Sequence, residues 1–526
     1  MKKHLSIFCL LLIVALASCK RESPTSWNTN VLVPLAKGRV TLGDIVPDSI
    51  LQSDANSLWH LIIEENLTDF NLDSIVAIPD TVIKKEFNVP LVGGPFNVPN
   101  GTSIIDQHDN NLLNVNDVQL RRVRMKSGSL EYSIKSYING YLTCTYDIPG
   151  VTLNGVGTVI ETTTEPRIGN QPYVHTGAID LAGYEMDLTG QNGFMSNRVY
   201  THLSIKTAVN SPTIAKIYGQ DSVVVELRFL NPKVEYAKGY FGQHNYELNQ
   251  TVDFGGDINF PTGALDIDEA TMNLNITNAV GTDAQINFQT VSGYNSFYAN
   301  TSNLDYPPLY QPINITRAYD NNGQVHATEY NYLLNNSNSN IDAFIENLPG
   351  SLDLHANISI NPLGNVTDGN DFIYTASALS AILKLDVPLA IGMQNILFAD
   401  TLAITTDTEI NADGNLMLYV TNAFPFSATC DAFLIDESNV TTNTLLENGY
   451  IQYAAETASP GITVPAESVI AIHVSREALL NFNSAHRIAL RIRLNTDSYP
   501  DHHQLYKQYF MDFKIIADGK VEVSYE

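Results

Sequence analysis

Apolar and polar residues alternate along most of this 526-residue chain, in short runs interrupted by glycine, asparagine, aspartate and proline. A period of two places successive side chains on opposite faces, which is the pattern of a half-buried β-strand. Residues 30–35 and 58–63 are clear runs of this kind. Long amphipathic runs with a helical period are missing from the sequence. The pattern predicts an all-β fold of several β-sandwich-like modules in an elongated array, with a few short helices.

One pair of strands recurs three times in the sequence without gaps. The second and third copies share the tripeptide Thr-Asn-Ala in the same register, at 277–279 and 421–423. The matched apolar positions are Leu130, Tyr132, Ile134, Ile138, Leu142 and Cys144; Met272, Leu274, Ile276, Val280, Ala284 and Ile286; and Leu416, Leu418, Val420, Phe424, Ala428 and Cys430. Alternation alone does not supply an identical tripeptide in register, so we predict a threefold internal repeat.

A short helix 13 residues before an asparagine is the second recurring feature. Ile341, Phe344, Ile345 and Leu348 share one helical face, and Pro349-Gly350 ends the run. The expected equivalents are Ile214, Ala215 and Tyr218 in the first copy and Ala478, Leu479 and Phe482 in the third. The asparagines are Asn231, Asn361 and Asn495, and each is predicted to end a strand.

These signals divide the chain into segments. They are a signal peptide (1–18), a lipid anchor and tether (19–26), an N-terminal β-region (27–115) and three β-modules (116–255, 256–400 and 401–526). Each module has the size of one sandwich. Asp518-Gly519 predicts a tight hairpin turn near the end of the chain. The Asn-containing strand ends and the Thr-Asn-Ala strand resemble the sandwich of the water-stress LEA-type domains, and no function is carried over from that resemblance.

The first 22 residues read as an export signal. Lys2 and Lys3 precede an apolar run from Leu5 to Leu16, which is shorter than the roughly 20 residues that a membrane-spanning helix needs. Leu16-Ala17-Ser18-Cys19 follows and resembles the lipobox of bacterial lipoproteins. The resemblance implies cleavage before Cys19 and acylation of Cys19, so that lipid such as palmitate anchors the protein. An ordinary secretory signal with a chance cysteine is the alternative.

The residues after Cys19 bear on where the protein is anchored. Asp does not follow Cys19, so retention in the inner membrane by the proteobacterial rule is not indicated, and the outer membrane is expected. Cys19-Lys20-Arg21-Glu22 resembles the surface-export signal of Bacteroidota lipoproteins, a lysine followed by acidic residues, with Arg21 and a single acid as departures. The cell surface is favoured, and the periplasmic face remains the alternative.

Charge and cysteine content narrow the classes of partner. The formal net charge is −27, which argues against nucleic acid and against adsorption to anionic lipid. Of four cysteines, Cys9 leaves with the signal and Cys19 carries lipid. Cys144 and Cys430 then remain, at equivalent positions of modules one and three, and we predict unbridged core thiols in place of a disulfide framework.

The sequence predicts no catalytic residue, cofactor or metal ligand set. It contains no H-E-x-x-H, G-x-S-x-G, P-loop or dinucleotide-binding motif. His502 and His503 are adjacent, so on a strand they point to opposite faces, and a solvated loop pair is expected. The acidic positions Asp320, Asp368, Asp371 and Asp413 lack the ligand spacing of a calcium loop and are predicted to be turn residues.

Five aromatic residues in the second module are the candidate ligand-binding residues. They are Tyr294, Phe297, Tyr298, Tyr306 and Tyr310. Exposed rings would stack on sugars or anchor a protein partner, whereas buried rings would fix the loop to its own module.

A basic strand face is a further candidate surface. Arg122, Arg124 and Lys126 alternate with apolar residues. They would contact lipid A phosphates or an acidic partner, or neutralise carboxylates of the protein itself.

The function favoured by the sequence is that of a lipoprotein of the outer membrane which acts as a non-catalytic binding or scaffold protein of the cell envelope. Its partners would be the membrane, through the N-terminal lipid, and an outer-membrane protein or a glycan. The alternatives are an exported glycan-directed hydrolase or adhesin without a local motif, and a lipid-carrying β-sandwich.

Overall fold

The structure is a computed structural model that describes residues 26–44, 46–70, 76, 78–115, 117–254, 263–296, 298–403, 414–436, 438, 440–474 and 487–524. The signal peptide, Cys19, Phe297, Asp413 and the helix expected at Ala478, Leu479 and Phe482 lie outside the described residues.

Strands dominate the described chain, and the predicted all-β fold is confirmed. The first strands are β1 (Ser26–Val40), β2 (Leu51–Ser53), β3 (Trp59–Phe70), β4 (Thr81–Asn88), β5 (Phe96–Val98), β6 (Ser103–Leu112), β7 (Gln119–Ser136), β8 (Leu142–Leu153), β9 (Val156–Thr164), β10 (Tyr173–Asp180), β11 (Glu185–Asp187), β12 (Arg198–Thr207), β13 (Ala215–Ile217) and β14 (Ser222–Tyr240). They are followed by β15 (His244–Asp253), β16 (Ala264–Ile267), β17 (Thr271–Asn278), β18 (Ala284–Asn295), β19 (Asn300–Asn303), β20 (Ile313–Ile315), β21 (Tyr319–Asn321), β22 (Gln324–His326), β23 (Thr328–Asn335), β24 (Ser351–Ile360), β25 (Asp371–Tyr374), β26 (Leu379–Pro388) and β27 (Ala390–Gln394). The last are β28 (Ile396–Ala403), β29 (Gly414–Asn422), β30 (Ser427–Ile435), β31 (Thr441–Ile451), β32 (Ala455–Glu456), β33 (Thr463–Val464), β34 (Ala466–Val474), β35 (Arg487–Asn495), β36 (His503–Gln504) and β37 (Met511–Ser524). Helix α1 is Ile341–Glu346, and 3₁₀ turns lie at Leu42–Asp44 and Pro307–Tyr310.

Strands β4 to β14 build a sandwich of two antiparallel sheets. Sheet A has the order β4-β14-β7-β10, and sheet B has the order β9-β8-β12-β6. The chain visits the sheets in the order A, B, A, B, B, A, B, A. Eight strands connected in this way form a jelly roll, which we call jelly roll 1. Strand β11 pairs with β7 and β8 and bridges the two sheets.

Two further jelly rolls have the same strand order. In jelly roll 2, sheet A is β3-β26-β17-β23, and sheet B places β18, with β19 and β20 at its edge, beside β24 and β15. In jelly roll 3, sheet A is β1-β37-β29-β34 and sheet B is β31-β30-β35-β28. Ile134, Ile276 and Val420 therefore lie on the same sheet A strand of the three jelly rolls. Cys144, Ile286 and Cys430 likewise share one sheet B strand.

The three jelly rolls are nested in the sequence. Jelly roll 1 is continuous from β4 to β14. Jelly roll 2 begins with β3, and all of jelly roll 1 is inserted before its next strand, β15. Jelly roll 3 begins with β1, and both other jelly rolls are inserted before β28. The region 27–115, predicted as a separate N-terminal unit, thus contributes one sheet A strand to each jelly roll.

The strand pairing also shifts the limits of the modules relative to the sequence prediction. Strands β6 and β15 each pair with strands of the jelly roll that follows the predicted boundary. The first sheet B strand precedes the repeated strand pair in every jelly roll, and its sequence carries none of the matched positions.

Each junction between jelly rolls contains a small three-stranded sheet. Between jelly rolls 1 and 2 it consists of the first half of β7, the second half of β14, and β25. Between jelly rolls 2 and 3 it consists of β16, β27 and β36. Equivalent strands form both junctions, since β25 and β36 each lie in the loop before the last strand of their jelly roll.

A buried ionic network lies at the first junction. Asp371 of β25 is almost fully buried and accepts hydrogen bonds from Thr367 Oγ1 (2.6 Å) and Asn361 Nδ2 (2.9 Å). Arg317 donates to Asp371 through Nη1 (3.2 Å) and to both carboxylate oxygens of Asp283. Asp371 is therefore no simple turn residue, in contrast to the prediction, because it is the acceptor around which the junction loop folds. Burial raises the pKa of Asp371.

Buried apolar side chains form two clusters among the described residues. One is the core of jelly roll 1 and includes Cys144, and the other joins the cores of jelly rolls 2 and 3 and includes Cys430. Both cysteines are free, and burial raises the pKa of each thiol to about 12. The two thiols lie in separate cores, which agrees with their prediction as unbridged apolar groups.

The repeated Thr-Asn-Ala tripeptide has a structural explanation. Asn278 is buried at the end of β17, where Nδ2 donates to the carbonyls of Thr282 (2.9 Å) and Thr316 (3.0 Å). Asn422 at the end of β29 makes the same bonds to Phe426 (2.8 Å) and Gln452 (2.9 Å). Each asparagine therefore connects, through its two hydrogen bonds, the turn between the two sheets with the residue that follows an edge strand of sheet B, β20 or β31.

The second repeat signal holds for α1 and fails in the first module. Helix α1 forms with Ile341, Phe344 and Ile345 buried, as predicted. Residues 214–218, predicted to be helical, contain the short strand β13 instead, because β5 offers them a pairing edge.

Asn231 is not equivalent to Asn361, which directly follows the sheet B strand β24, or to Asn495, which ends the sheet B strand β35. It lies inside β14, where it adopts φ +49° at a bulge opposite Gly128. Gly128 has φ +134°, and a Cβ there would lie 3.1 Å from Pro232 Cα, so the bulge requires glycine. The predicted strand end at Asn231 is therefore wrong, since β14 continues through it.

The hairpin predicted at Asp518-Gly519 is also wrong. Strand β37 passes straight through both residues, which pair with Leu32 and Val31 of β1. A long N-terminal partner strand is available to both halves of β37, and so the chain does not reverse.

Candidate functional site

The structure separates the aromatic residues that the sequence grouped together. Tyr306 and Tyr310 pack against the core of jelly rolls 2 and 3, and Tyr310 OH donates to Leu304 O (2.6 Å). Tyr294 and Tyr298 are 40% and 48% exposed at the β18–β19 hairpin. Two of the five rings therefore face solvent, two stabilise their own module, and Phe297 lies outside the described residues.

The basic strand of jelly roll 1 is largely neutralised by the protein itself. Arg122 forms an ion pair with Glu185, and Arg124 Nε donates to Glu235 Oε2 (3.0 Å). These contacts support the interpretation that the stripe balances internal carboxylates.

The adjacent histidines are paired with carboxylates. His502 Nε2 lies 2.5 Å from Asp266 Oδ1, and His503 Nδ1 lies 3.1 Å from Glu456 Oε2. The expected solvated loop pair is therefore part of the second junction, and the two rings contact different acids, as opposite orientation on a strand requires.

A groove of about 650 Å³ crosses the outer face of sheet A of jelly roll 3. We call it the sheet A groove. The outward side chains that line it are Lys37 and Arg39 of β1, Asp512 and Lys514 of β37, Tyr419 and Thr421 of β29, and Glu467 and Val469 of β34. Its volume is within the range of small-ligand sites.

Strand register arranges these side chains in two rows across the sheet. Lys37, Lys514, Tyr419 and Val469 are successive cross-strand partners and form the first row. The second row consists of Arg39, Asp512, Thr421 and Glu467. Strand spacing places neighbours within a row about 5 Å apart, close enough for one ligand to touch several of them.

Charge is unevenly distributed between the rows. In the second row, Arg39 donates to both oxygens of Asp512 (2.6 and 2.7 Å) and lies 4.1 Å above the Phe510 ring centroid. The hydrogen bond to Asp512 raises the pKa of Arg39. In the first row, two lysines lie opposite each other beside the 38% exposed Tyr419. Like charges placed in this way repel, so the first row is suited to an anion.

An apolar cavity in jelly roll 2 bears on the lipid-carrying alternative. It is lined by Ile63, Phe254, Leu385 and other aliphatic side chains and has a volume of about 40 Å³. An acyl chain does not fit into it.

A second cluster lies on the outer face of sheet B of jelly roll 1, and the sequence analysis predicted no such site. Asp106, His108 and His202 each offer one ligand atom, and these atoms lie within 4.8 Å of one another. His202 Nε2 is 2.6 Å from Asp106 Oδ1, and the His108 and His202 rings stack with centroids 4.2 Å apart. The hydrogen bond to His202 lowers the pKa of Asp106. We call these three residues the His-Asp cluster.

Two of the three residues of the His-Asp cluster have a local signal in the sequence. Asp106 and His108 are two residues apart and share a strand face, which alternation would have indicated. His202 is 96 residues from Asp106, and only the pairing of β6 with β12 brings it opposite His108.

Comparisons with known proteins do not assign a family. No protein-family model matches the sequence, and no curated protein is similar to it. A Parabacteroides distasonis protein described as secreted matches 52% of this chain and 83% of its own length at 12% identity, with a TM-score of 0.27. The VP2 protein of infectious bursal disease virus matches 91% of this chain and 80% of its own at 9% identity, with a TM-score of 0.13. At these scores neither similarity supports a statement about fold or function.

Within the described ranges, no helix combines the length and the hydropathy that crossing a bilayer demands.

Proposed function

We propose that this protein is a lipid-anchored, non-catalytic binding protein of the outer membrane whose sheet A groove binds an acidic glycan. The proposal combines the lipobox at Leu16 to Cys19 with the groove on the jelly roll that the anchor would hold. The observation that carries it is the first row of the groove, where Lys37 and Lys514 lie side by side and Lys514 is next to Tyr419.

The nested topology determines which jelly roll the anchor would hold. Strand β1 begins at Ser26, and the seven intervening residue steps from Cys19 span at most about 25 Å when extended. Strand β1 belongs to jelly roll 3, the last in the sequence. The lipid would therefore keep jelly roll 3 near the membrane, and the groove would lie at the opposite end of β1 from the anchor.

The groove offers the contacts that an acidic sugar requires. Two ammonium groups attract a carboxylate or sulfate, and the exposed ring of Tyr419 provides a flat apolar surface for the C–H face of a pyranose. Thr421 and Glu467 in the second row supply a donor and acceptors for hydroxyl groups. Asp512 is held by Arg39 on both oxygens, which favours binding over carboxylate-based hydrolysis.

Replacing Cys19 with alanine tests the anchor. Incorporation of labelled palmitate is expected to disappear in Cys19→Ala, because the thiol is the only acceptor in the lipobox for the thioether-linked lipid. Cys9→Ala is the matched control and is expected to keep the label. Persistent labelling of Cys19→Ala, or a mature N-terminus at another residue, would contradict the anchor.

Replacing both lysines of the first row tests the groove. The lipid-free mature chain is expected to bind acidic glycans on an array of acidic and neutral polysaccharides, and Lys37→Ala/Lys514→Ala is expected to lose that binding. Tyr419→Ala is expected to weaken it by roughly tenfold, equivalent to one stacking contact of about 1–1.5 kcal/mol. Binding should also fall with added salt, since both lysines are exposed.

Tyr450→Ala is the control for this experiment. Tyr450 is 56% exposed in the same jelly roll but lies on sheet B, so its loss is expected to leave binding unchanged. Absence of binding to every acidic glycan, or equal binding by the double-lysine variant, would overturn the proposed ligand class.

A further inference from the structure

We infer that the His-Asp cluster of jelly roll 1 is a binding site for a divalent transition-metal ion of the Zn²⁺ type. The site is independent of the sheet A groove, since it lies on a different jelly roll and on the opposite type of sheet. It is built from Asp106 and His108 of β6 and His202 of β12.

Two elementary features of β-structure bring the three ligands together. Residues two apart on a strand project from the same face, which aligns Asp106 with His108. Directly opposite residues of antiparallel strands have their Cβ atoms about 5 Å apart, which places His202 beside His108. The sheet backbone fixes both relations, so the donors are brought together before any ion binds.

Hydrogen bonds orient two of the ligands. Tyr200 OH lies 2.7 Å from His108 Nδ1, which leaves Nε2 of the same ring as the ligand atom. Such an outer contact on the second ring nitrogen is characteristic of metal-ligating histidines. His202 Nε2 and Asp106 Oδ1 already meet at 2.6 Å, and a metal ion would take the place of the proton that they share.

The internal repeat provides a comparison for the site within the same chain. In jelly roll 2 the equivalent positions are Glu247, Asn249 and His355, with Asn249 opposite His355 and their side chains 2.7 Å apart. The carboxylate and one imidazole are therefore present there, and an amide replaces the other imidazole.

Jelly roll 3 has none of these three ligands. Its equivalent positions are Ala399, Thr401 and Ala489. The full set of two imidazoles and a carboxylate occurs in jelly roll 1, although the three sheets share the same register, so backbone geometry alone does not demand these residues.

The donor set defines the class of ion. Two imidazole nitrogens and one carboxylate oxygen suit Zn²⁺ and neighbouring transition metals, whereas Ca²⁺ and Mg²⁺ prefer oxygen ligands throughout. Asp106 and His108 are exposed and His202 is half-buried, so solvent reaches the ion. The remaining coordination positions would hold water or an oxygen donor from a bound partner.

Equilibrium dialysis of the full-length chain against ZnCl₂ tests the site. The protein is prepared in detergent without a histidine tag, stripped with a chelator, and its bound zinc is measured by elemental mass spectrometry. The wild type is expected to bind one zinc ion per chain, and His108→Asn, which reproduces the set of jelly roll 2, is expected to bind none. Tyr200→Phe is expected to weaken binding by roughly 10–100-fold.

Asn249→His is the matched gain-of-site variant. It completes the set in jelly roll 2 and is expected to raise the stoichiometry to two zinc ions. His108 and Asn249 are both solvent-facing, and unchanged thermal unfolding of each variant will show that the fold is intact. A wild type without bound zinc, or His108→Asn with wild-type affinity, would overturn the site. An Asn249→His chain with no additional zinc would overturn the inference that this donor spacing suffices.

Discussion

A fragment comprising residues 78–241 is expected to fold on its own, whereas residues 242–394 are not. The first fragment contains all eight strands of jelly roll 1 in continuous sequence. The second contains the other strands of jelly roll 2 and lacks β3, which pairs along the whole of β26. Circular dichroism and a cooperative thermal transition will distinguish the folded fragment from the unfolded one.

The expected effect follows from the buried side chains that β3 supplies. Ile63 and Leu67 are 7% and 2% exposed, and burying each contributes about 1.5–3 kcal/mol. The loss of these two side chains, together with the unpaired edge of β26, removes an amount of free energy comparable to the whole free energy of unfolding of a domain, which is roughly 5–15 kcal/mol. The 242–394 fragment should therefore remain unfolded.

Supplying the missing strand provides the control. A peptide of residues 57–72 is expected to restore folding of the 242–394 fragment by strand addition. The same peptide with Ile63→Asp and Leu67→Asp is expected to fail, because both side chains point into the core. Cooperative unfolding of 242–394 without the peptide would refute the nested arrangement.

Replacing Arg317 with methionine is expected to lower the free energy of unfolding at the first junction by about 3–5 kcal/mol. Methionine keeps an unbranched apolar stem but leaves Asp283 and the buried Asp371 without their cation. Native-state hydrogen exchange of β24 and β25, followed in increasing urea, measures this local free energy.

The loss of unfolding free energy caused by Arg317→Met is expected to depend on pH. Burial already raises the pKa of Asp371 above its unfolded value of about 3.9, so the folded state favours the protonated carboxyl. For such a group, stability is greatest at low pH and is lost as pH rises through the folded-state pKa. Arg317→Met should therefore be most destabilised at neutral pH, and the difference from wild type should shrink as Asp371 becomes protonated.

Arg228→Met is the matched control for charge removal. Arg228 is 54% exposed and pairs with Glu226 on the surface of jelly roll 1, where an ion pair contributes at most about 1 kcal/mol. Equal effects of the two substitutions, or a deficit of Arg317→Met that grows on acidification, would contradict the buried network.

The sequence by itself determined the inward faces of the strands and the position of α1, but not the conformation at Asp518-Gly519 or at 214–218. Alternation identified strands and the inward faces that carry Ile134, Ile276 and Val420, because the side-chain period is a property of the single strand. The spacing of Ile341, Phe344 and Ile345 identified α1 for the same reason. A lipobox is also local, so the proposed anchor needed no tertiary information.

The candidate sites were less accessible from the sequence. The aromatic cluster was predicted from proximity along the chain, yet burial divided it, since only packing decides which of Tyr298 and Tyr310 faces solvent. The sheet A groove is lined by four strands. Two of them, β1 and β37, are neighbours in the sheet but lie at opposite ends of the sequence. Residues that meet across a sheet leave no shared pattern in the sequence.

The tertiary structure alone decided the nesting. Alternation shows that a strand has a buried face, but it does not show which strand lies beside it, because every antiparallel edge offers the same backbone donors and acceptors. The sequence pattern of β1 is therefore the same as that of any other half-buried strand, although its partner β37 lies at the opposite end of the chain. The same limit applies to His202 and Asp106. The packing of whole sheets determines which strands pair. The sheet A groove and the His-Asp cluster both depend on that pairing, so only the tertiary structure reveals where they lie.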